Sequence, residues 1–263
     1  VATVGRVHYG GIRIIGTTGS DPCESMQIIP KDDELRSGDN VNVIGAGGPM
    51  GMMHTIRNIC QGVEGVSVWA GDLDDNRLAM LSKVAKPAAQ ECGVPFETYN
   101  PKTDGTSEQF DYAALMVPVP ALAAQAVKDA ARRGLINIFA GIPASVTGEI
   151  DLDMYIEKEL YFIGTSGSTL DDMKQMLAKA QSGRLDTNVS VAAISGMQGA
   201  TEGIRAVENR LIAGKIIVYP ACRELGLIRL EELEKKLPEV GAALCEGLWT
   251  AEAERVLLDK YGS

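Results

Sequence analysis

Residues 42–51 read Asn-Val-Ile-Gly-Ala-Gly-Gly-Pro-Met-Gly. This glycine-rich turn lies between a β-branched run at 40–44 and a helix-compatible stretch at 50–60. Gly45, Gly48 and Gly51 recur every third residue; Gly45 and Gly47 also supply the first half of a G-x-G-x-x-G pattern, with Met50 where the third glycine would stand. In such a turn one glycine allows the tight bend, another lets a phosphate approach the backbone, and the last lets the helix pack on the strand. Gly45, Gly47, Gly48, Pro49, Met50 and Gly51 are therefore candidates for holding a pyrophosphate at the helix N-terminus. Glycine clusters also occur as plain strand-to-helix turns, so a second feature is needed.

The second strand supplies it. The run at 65–70 leads into Gly71 and Asp72, and the carboxylate stands 21 residues beyond Gly51. A ribose diol would arrive at that distance, and Asp72 can accept hydrogen bonds from both hydroxyls while repelling a 2′-phosphate. That favours NAD over NADP. The competing reading is that Asp72 only caps the next helix, as Asp74, Asp75 or Asn76 beside it could.

The order of elements predicts an α/β fold, a doubly wound parallel sheet. A helix is expected over 75–92, kinked or divided by Pro87, then a strand at 110–117 closed by Pro118 and Pro120. Next come a helix at 121–133 with Gly134 as its C′ residue, and strands at 135–140 and 160–164. Continuous apolar strands separated by helices imply a sheet covered on both faces. Beyond Gly167 helices are expected at 169–181 and 203–213, a short strand at 215–219, and two charged helices over 230–261 with Thr250 as an N-cap. The resulting division is a strand and connector at 1–36, a nucleotide domain at 37–168, and a mostly helical C-terminal part at 169–263.

Charge and cysteine usage narrow the partners. The 263 residues carry 25 Lys and Arg against 35 Asp and Glu, a net charge of −10, which repels nucleic-acid phosphates and anionic lipid. No apolar run reaches the roughly 18 residues that cross a bilayer. No charged leader followed by an apolar core opens the chain. The five cysteines are odd in number, scattered, and contain no C-x-x-C, which fits reduced thiols in a cytoplasmic protein. A zinc site is not expected: His8 and His54 are the only histidines, and each reads more simply as a packed or surface residue than as a ligand.

The segment 37–47, Ser-Gly-Asp-Asn-Val-Asn-Val-Ile-Gly-Ala-Gly, with Asp72 and Asn76-Arg77-Leu78, resembles the nucleotide-binding half of medium-chain zinc-type alcohol and polyol dehydrogenases over residues 37–220. Gly48-Pro49-Met50-Gly51, residues 137–141, and residues 162–167 followed by Asp171-Asp172-Met173 look most like the sorbose-phosphate reductase branch. The resemblance implies a Rossmann domain in which Val117, Pro118, Ala140, Gly141, Gly164 and Thr165 line a nicotinamide crevice. The zinc-bearing catalytic domain that precedes this domain in the family has no counterpart here, so no catalytic residue is assigned.

One further pattern is internal. Residues 12–20, Ile-Arg-Ile-Ile-Gly-Thr-Thr-Gly-Ser, echo 160–168, Leu-Tyr-Phe-Ile-Gly-Thr-Ser-Gly-Ser, at an offset of 148 positions. This suggests that the first 30 or so residues are the end of a preceding nucleotide-binding copy. Dehydrogenases of the resembled family often join two sheets through their last strands, so the echo predicts Ile14 within about 10 Å of Phe162, two strand spacings.

Three functions fit the sequence. The first is an NAD-dependent oxidoreductase, or its cofactor-binding part, acting on an alcohol, polyol or sugar phosphate. The second is a nucleotide-binding or assembly module without turnover. The third is an adenosyl-methionine methyltransferase, which also uses a glycine turn and an acid after the second strand. The expected partner is a small-molecule substrate, with self-association or docking to a separate catalytic domain left open.

Overall fold

Residues 40–44 form a strand whose middle three residues are buried, and it is the pivot of a seven-stranded sheet in the computed structural model. The structure describes residues 1–27, 29–30, 35–164 and 166–262, which fall into two units, Val1–Leu185 and Asp186–Ser263. In chain order the first unit holds α1 (Gly5–Gly10), β1 (Ile14–Ile15), α2 (Pro22–Met26), β2 (Asn40–Ile44), α3 (Pro49–Ile59), β3 (Ser67–Gly71) and α4 (Asp75–Cys92). It continues with β4 (Phe96–Tyr99), β5 (Phe110–Leu115), α5 (Pro120–Asp129), β6 (Ala130–Ile138), α6 (Leu152–Glu157), β7 (Tyr161–Ile163) and α7 (Leu170–Gln181).

The sheet order is β1-β7-β6-β5-β2-β3-β4, parallel from β7 to β4, with β1 antiparallel at the β7 edge. The doubly wound α/β class is thus present. Because β2 pairs with β3 on one side and β5 on the other, the strand order reverses at β2. A crevice opens at the carboxyl ends of strands at such a reversal, and ligands bind there in this class of sheet. Ile136, Ile138, Leu115 and Phe162 form the core with Ala123, Ala126 and Val127 of α5, and Val4 and Val7 join the same cluster from the N-terminal segment.

Three local departures from the sequence reading have physical causes. The helix expected to run to Arg133 stops at Asp129, where the Lys158 ammonium donates to the carbonyls of Val127, Lys128 and Ala130 at 3.3, 2.8 and 2.7 Å. A cation on the last carbonyls caps the helix and complements its dipole. Gly134 is accordingly not a C′ residue; it lies in an irregular stretch of β6 where the register shifts and Arg133 adopts φ 65°. Pro87, expected to kink or divide α4, does not divide it and lies inside one continuous helix. Pro87 and Lys83 are both exposed, so the carbonyl that Pro87 leaves without a donor faces water.

The second unit contains β8 (Val191–Ser195), α8 (Ala200–Glu208), β9 (Lys215–Val218), β10 (Ile228–Arg229), α9 (Leu233–Lys236), α10 (Pro238–Ala242) and α11 (Ala251–Tyr261). Its helices are accompanied by a three-stranded sheet, β10-β8-β9, whose central strand the sequence reading did not expect. Trp249, Leu233, Val240 and Leu257 form its core, and Thr250 caps α11 by accepting from the Ala253 amide at 3.0 Å.

Candidate functional site

The glycine turn joins β2 to α3 at the reversal point. The amides of Gly45 and Ala46 donate to the Gly71 carbonyl at 2.8 and 3.0 Å, which ties the turn to the end of β3. Gly45 has φ 85°, and a methyl group there would stand 2.2 Å from Cγ2 of Val117. Glycine is needed on both counts. A methyl group on Gly51 would lie 2.2 Å from the Gly45 carbonyl oxygen and 2.6 Å from Cα of Ala46, so this glycine lets α3 pack down on the turn.

Gly48 is the N-cap of α3 with no side chain covering the helix end, and Pro49 occupies the first turn. Space opens here: the atom nearest to a methyl group on Gly48 would be the Gly45 oxygen at 3.9 Å. Met50, the next residue on this end, is 48% exposed. At Gly47 the room is instead taken by named groups, since a methyl would come within 2.5 Å of Arg77 Cβ and 2.9 Å of Asp72 Oδ2.

Asp72 follows β3 and turns back toward the glycine turn. Its Oδ2 accepts from the Gly47 amide at 2.9 Å and its Oδ1 from the Asp74 amide at 3.1 Å. Asp72 does not cap α4. That task falls to Asp74, whose Oδ1 accepts from the amides of Asn76 and Arg77 at 3.0 and 3.3 Å. Beneath the turn, Asn42 of β2 and Tyr99 of β4 form a buried side-chain hydrogen bond at 2.9 Å. Gly71 on the strand between them makes the room, because a methyl there would stand 2.6 Å from the Tyr99 ring.

The other candidates lie along the same carboxyl edge. Val117 and Pro118 leave β5, whose continuation is aligned by the Met116 amide donating to the Ile44 carbonyl at 2.9 Å. Ala140 is buried and its amide donates to Leu115 at 2.8 Å, while Gly141 is exposed. Gly164 ends β7, with room for no side chain: a methyl would lie 2.7 Å from the Ile138 carbonyl oxygen. Thr165 lies outside the described residues.

Sequence reasoning missed the contribution of α1 to this edge. His8 Nδ1 is within hydrogen-bonding distance, 3.2 Å, of the Ile138 carbonyl oxygen, and a methyl on Gly141 would stand 2.8 Å from the Tyr9 hydroxyl. Both histidines converge on Phe139, with ring centroids 4.4 Å away for His54 and 6.4 Å for His8. Burial, with help from the Arg57 charge, pushes His54 down to about 4, so it is neutral at physiological pH. No sequence periodicity signals this meeting, because His8 and His54 are brought together by long-range packing. Arg77 against Gly47 was the more legible omission, being in the first turn of the helix that follows Asp72.

Among the described residues no group of three or more His, Cys, Asp or Glu side chains is placed to hold a metal ion. The side chains of the described residues therefore do not fit the zinc of zinc-type dehydrogenases. Those at the turn do fit a dinucleotide: an open helix N-terminus at Gly48 and a carboxylate held against the neighbouring Gly47.

No protein-family model matches the chain. Two curated relatives do. The chain is 26% identical to the uncharacterized protein YggP of Escherichia coli K12 over 250 residues, 87% of this chain and 58% of that protein. It is 31% identical to the L-sorbose 1-phosphate reductase of Klebsiella pneumoniae over 156 residues, 57% of this chain and 36% of that one. The chain thus spans less than two thirds of either relative. Among solved structures, the short chain alcohol dehydrogenase rspB of E. coli CFT073 in complex with NADH superposes with a TM-score of 0.53 at 18% identity, over 70% of this chain and 52% of that one. Other alcohol and polyol dehydrogenases, including a zinc-binding type, share the fold at similar coverage. The likeness to these dehydrogenases is one of fold, over about half of each neighbour's length.

Proposed function

We propose that the first unit binds NAD across the glycine turn and that the protein is an oxidoreductase, or the cofactor-holding part of one, for an alcohol, polyol or sugar phosphate. The observation that carries this reading is the cluster at the reversal point, where the Asp72 carboxylate, the Gly47 amide and the open N-terminus of α3 converge. The α3 N-terminus offers uncapped amides and the positive end of a helix dipole to a pyrophosphate. Asp72 accepts hydrogen bonds from the two hydroxyls of the adenosine ribose, and its charge disfavours a 2′-phosphate, so NAD is preferred to NADP. Val117, Pro118, Ala140, Gly141 and Gly164 border the nicotinamide end. A bound nicotinamide supplies or accepts the hydride; the chain's own residues hold it and limit water around it.

The substrate class rests on the relatives: one is a sugar-phosphate reductase, and the fold is shared with alcohol and polyol dehydrogenases. Among the described residues no helix is long and apolar enough to cross a membrane, and the free thiols at Cys23, Cys60, Cys92, Cys222 and Cys245 fit the cytoplasm. Trp69 of β3 lies three residues before Asp72, within energy-transfer range of a bound reduced nicotinamide. Titration with NADH should quench Trp69 emission. Quenching by adenosyl-methionine with none by millimolar NADH would overturn the reading in favour of a methyltransferase.

A further inference from the structure

The sequence echo extends to the architecture. Helix α1 precedes β1 as α6 precedes β7, and the equivalent N-caps Asp21 and Thr169 open α2 and α7 at the same offset of 148 positions. Gly11 and Glu159, also equivalent, are both left-handed, at φ 58° and 54°. Glu159 holds that conformation although it is not glycine, locked by Arg132, Arg133 and Thr18 at 2.9, 2.7 and 3.0 Å.

The two α-β-α units face each other across a pseudo-two-fold axis. In the antiparallel β1–β7 pair, Ile14 lies opposite Phe162, which is its own repeat counterpart. An antiparallel seam between equivalent strands related by a two-fold requires one residue to oppose its own equivalent. The surrounding contacts are reciprocal. A methyl on Gly16 would strike the Tyr155 carbonyl at 2.5 Å, and one on Gly164 would lie 3.4 Å from Val7, where Gly164 and Val7 are the counterparts of Gly16 and Tyr155.

The symmetry is broken in the exposure of equivalent positions. At α1 and its N-cap the equivalent positions are covered: Val4, in the main core cluster, is 0% exposed, and His8, beside the Ile138 carbonyl at the end of β6, is 9% exposed. Their counterparts on α6, Leu152 and Ile156, are 50% and 43% exposed. Among the described residues the outer edge of β1 likewise has no strand in the place that β6 takes beside β7.

We propose that residues 5–26 are the closing α-β-α unit of a second nucleotide-binding sheet carried on the same polypeptide ahead of residue 1. That sheet's sixth strand pairs in parallel with β1 at residues 13–15, and its carboxyl edge covers Leu152 and Ile156. The natural protein is then a pseudo-dimer within one chain. A second copy of the present chain does not fit the role, because its β6 is already flanked by β5 and β7. Asp153 occupies the place of Gly5, whose neighbour is the Pro143 carbonyl, so the loop after the sixth strand of the other sheet stands further out than residues 139–148. This inference stands on the repeat and is independent of the cofactor reading.

Maleimide labelling of Leu152→Cys and Ile156→Cys, read by peptide mass spectrometry, tests it, with Met80→Cys on α4 as an exposed reference. Both sites should label rapidly in the 263-residue chain and at least tenfold more slowly in the natural polypeptide that contains it, with the reference unchanged. Hydrogen exchange across 150–158 in the unsubstituted proteins should show the same protection, which removes any dependence on the variants folding. Equal labelling in both proteins overturns the proposal. So does protection that appears in the 263-residue chain only as its concentration rises, which assigns the face to self-association, or a natural polypeptide with no such sheet ahead of residue 1.

Discussion

The amide of Gly47 donates a 2.9 Å hydrogen bond to Oδ2 of Asp72, which fixes the carboxylate at the end of β3 against the turn that follows β2. This contact turns Asp72 away from the capping role. With Asp74 serving as the cap of α4, Asp72 is left to face the turn, one residue from the open helix end at Gly48.

Gly45→Ala should destabilise the first unit by about 3 kcal/mol: roughly 1–2 for a left-handed alanine and the remainder for overlap with Val117. The clash is specific, since the methyl would stand 2.2 Å from Val117 Cγ2. Combining it with Val117→Ala should recover the steric share and leave the conformational one, measured by urea denaturation of the single and double variants.

The Asn42–Tyr99 pair predicts a strong coupling. Tyr99→Phe or Asn42→Leu alone leaves a buried polar group without its partner, at about 1–3 kcal/mol each. The double variant should cost clearly less than the sum, a coupling of at least about 0.5 kcal/mol in a denaturation cycle. Additive losses would mean that the 2.9 Å contact contributes no coupling.

His54 gives a pH signature. Its folded-state value of about 4 lies below the ordinary 6.5, so as pH falls the unfolded chain binds the proton first. Its contribution is fully present above about pH 6.5 and is lost progressively down to pH 4, by up to about 3 kcal/mol. His54→Gln should flatten the stability profile in that window, read as the difference in urea midpoints between pH 7 and pH 4.5.

Most of the seven-stranded sheet was legible because its strands are continuous apolar runs bounded by glycine and proline, and because the glycine turn and Asp72 lie at fixed strand ends. What escaped had weak local signals. Phe96-Glu97-Thr98-Tyr99 is four residues at a sheet edge, and Val191–Ser195 contains two alanines that suit a helix as well as a strand. The end of α5 depended on Lys158, a cation 29 residues beyond Asp129 that reads as a solvated charge in the sequence. The meeting of His8 and His54 at Phe139 was invisible for the same reason: packing between distant segments sets it. The 148-residue echo, by contrast, carried through to the Ile14–Phe162 pairing.

The most direct test of the cofactor site is calorimetric titration of the wild-type chain and of Asp72→Ala with NADH and NADPH. Loss of a charge-assisted bidentate contact to a ribose diol predicts at least about tenfold weaker NADH binding, roughly 1.4 kcal/mol. NADPH should lose less or gain, because the variant no longer repels the 2′-phosphate. Equal losses for both cofactors, or no heat from either at millimolar concentration with the wild type, would contradict the account.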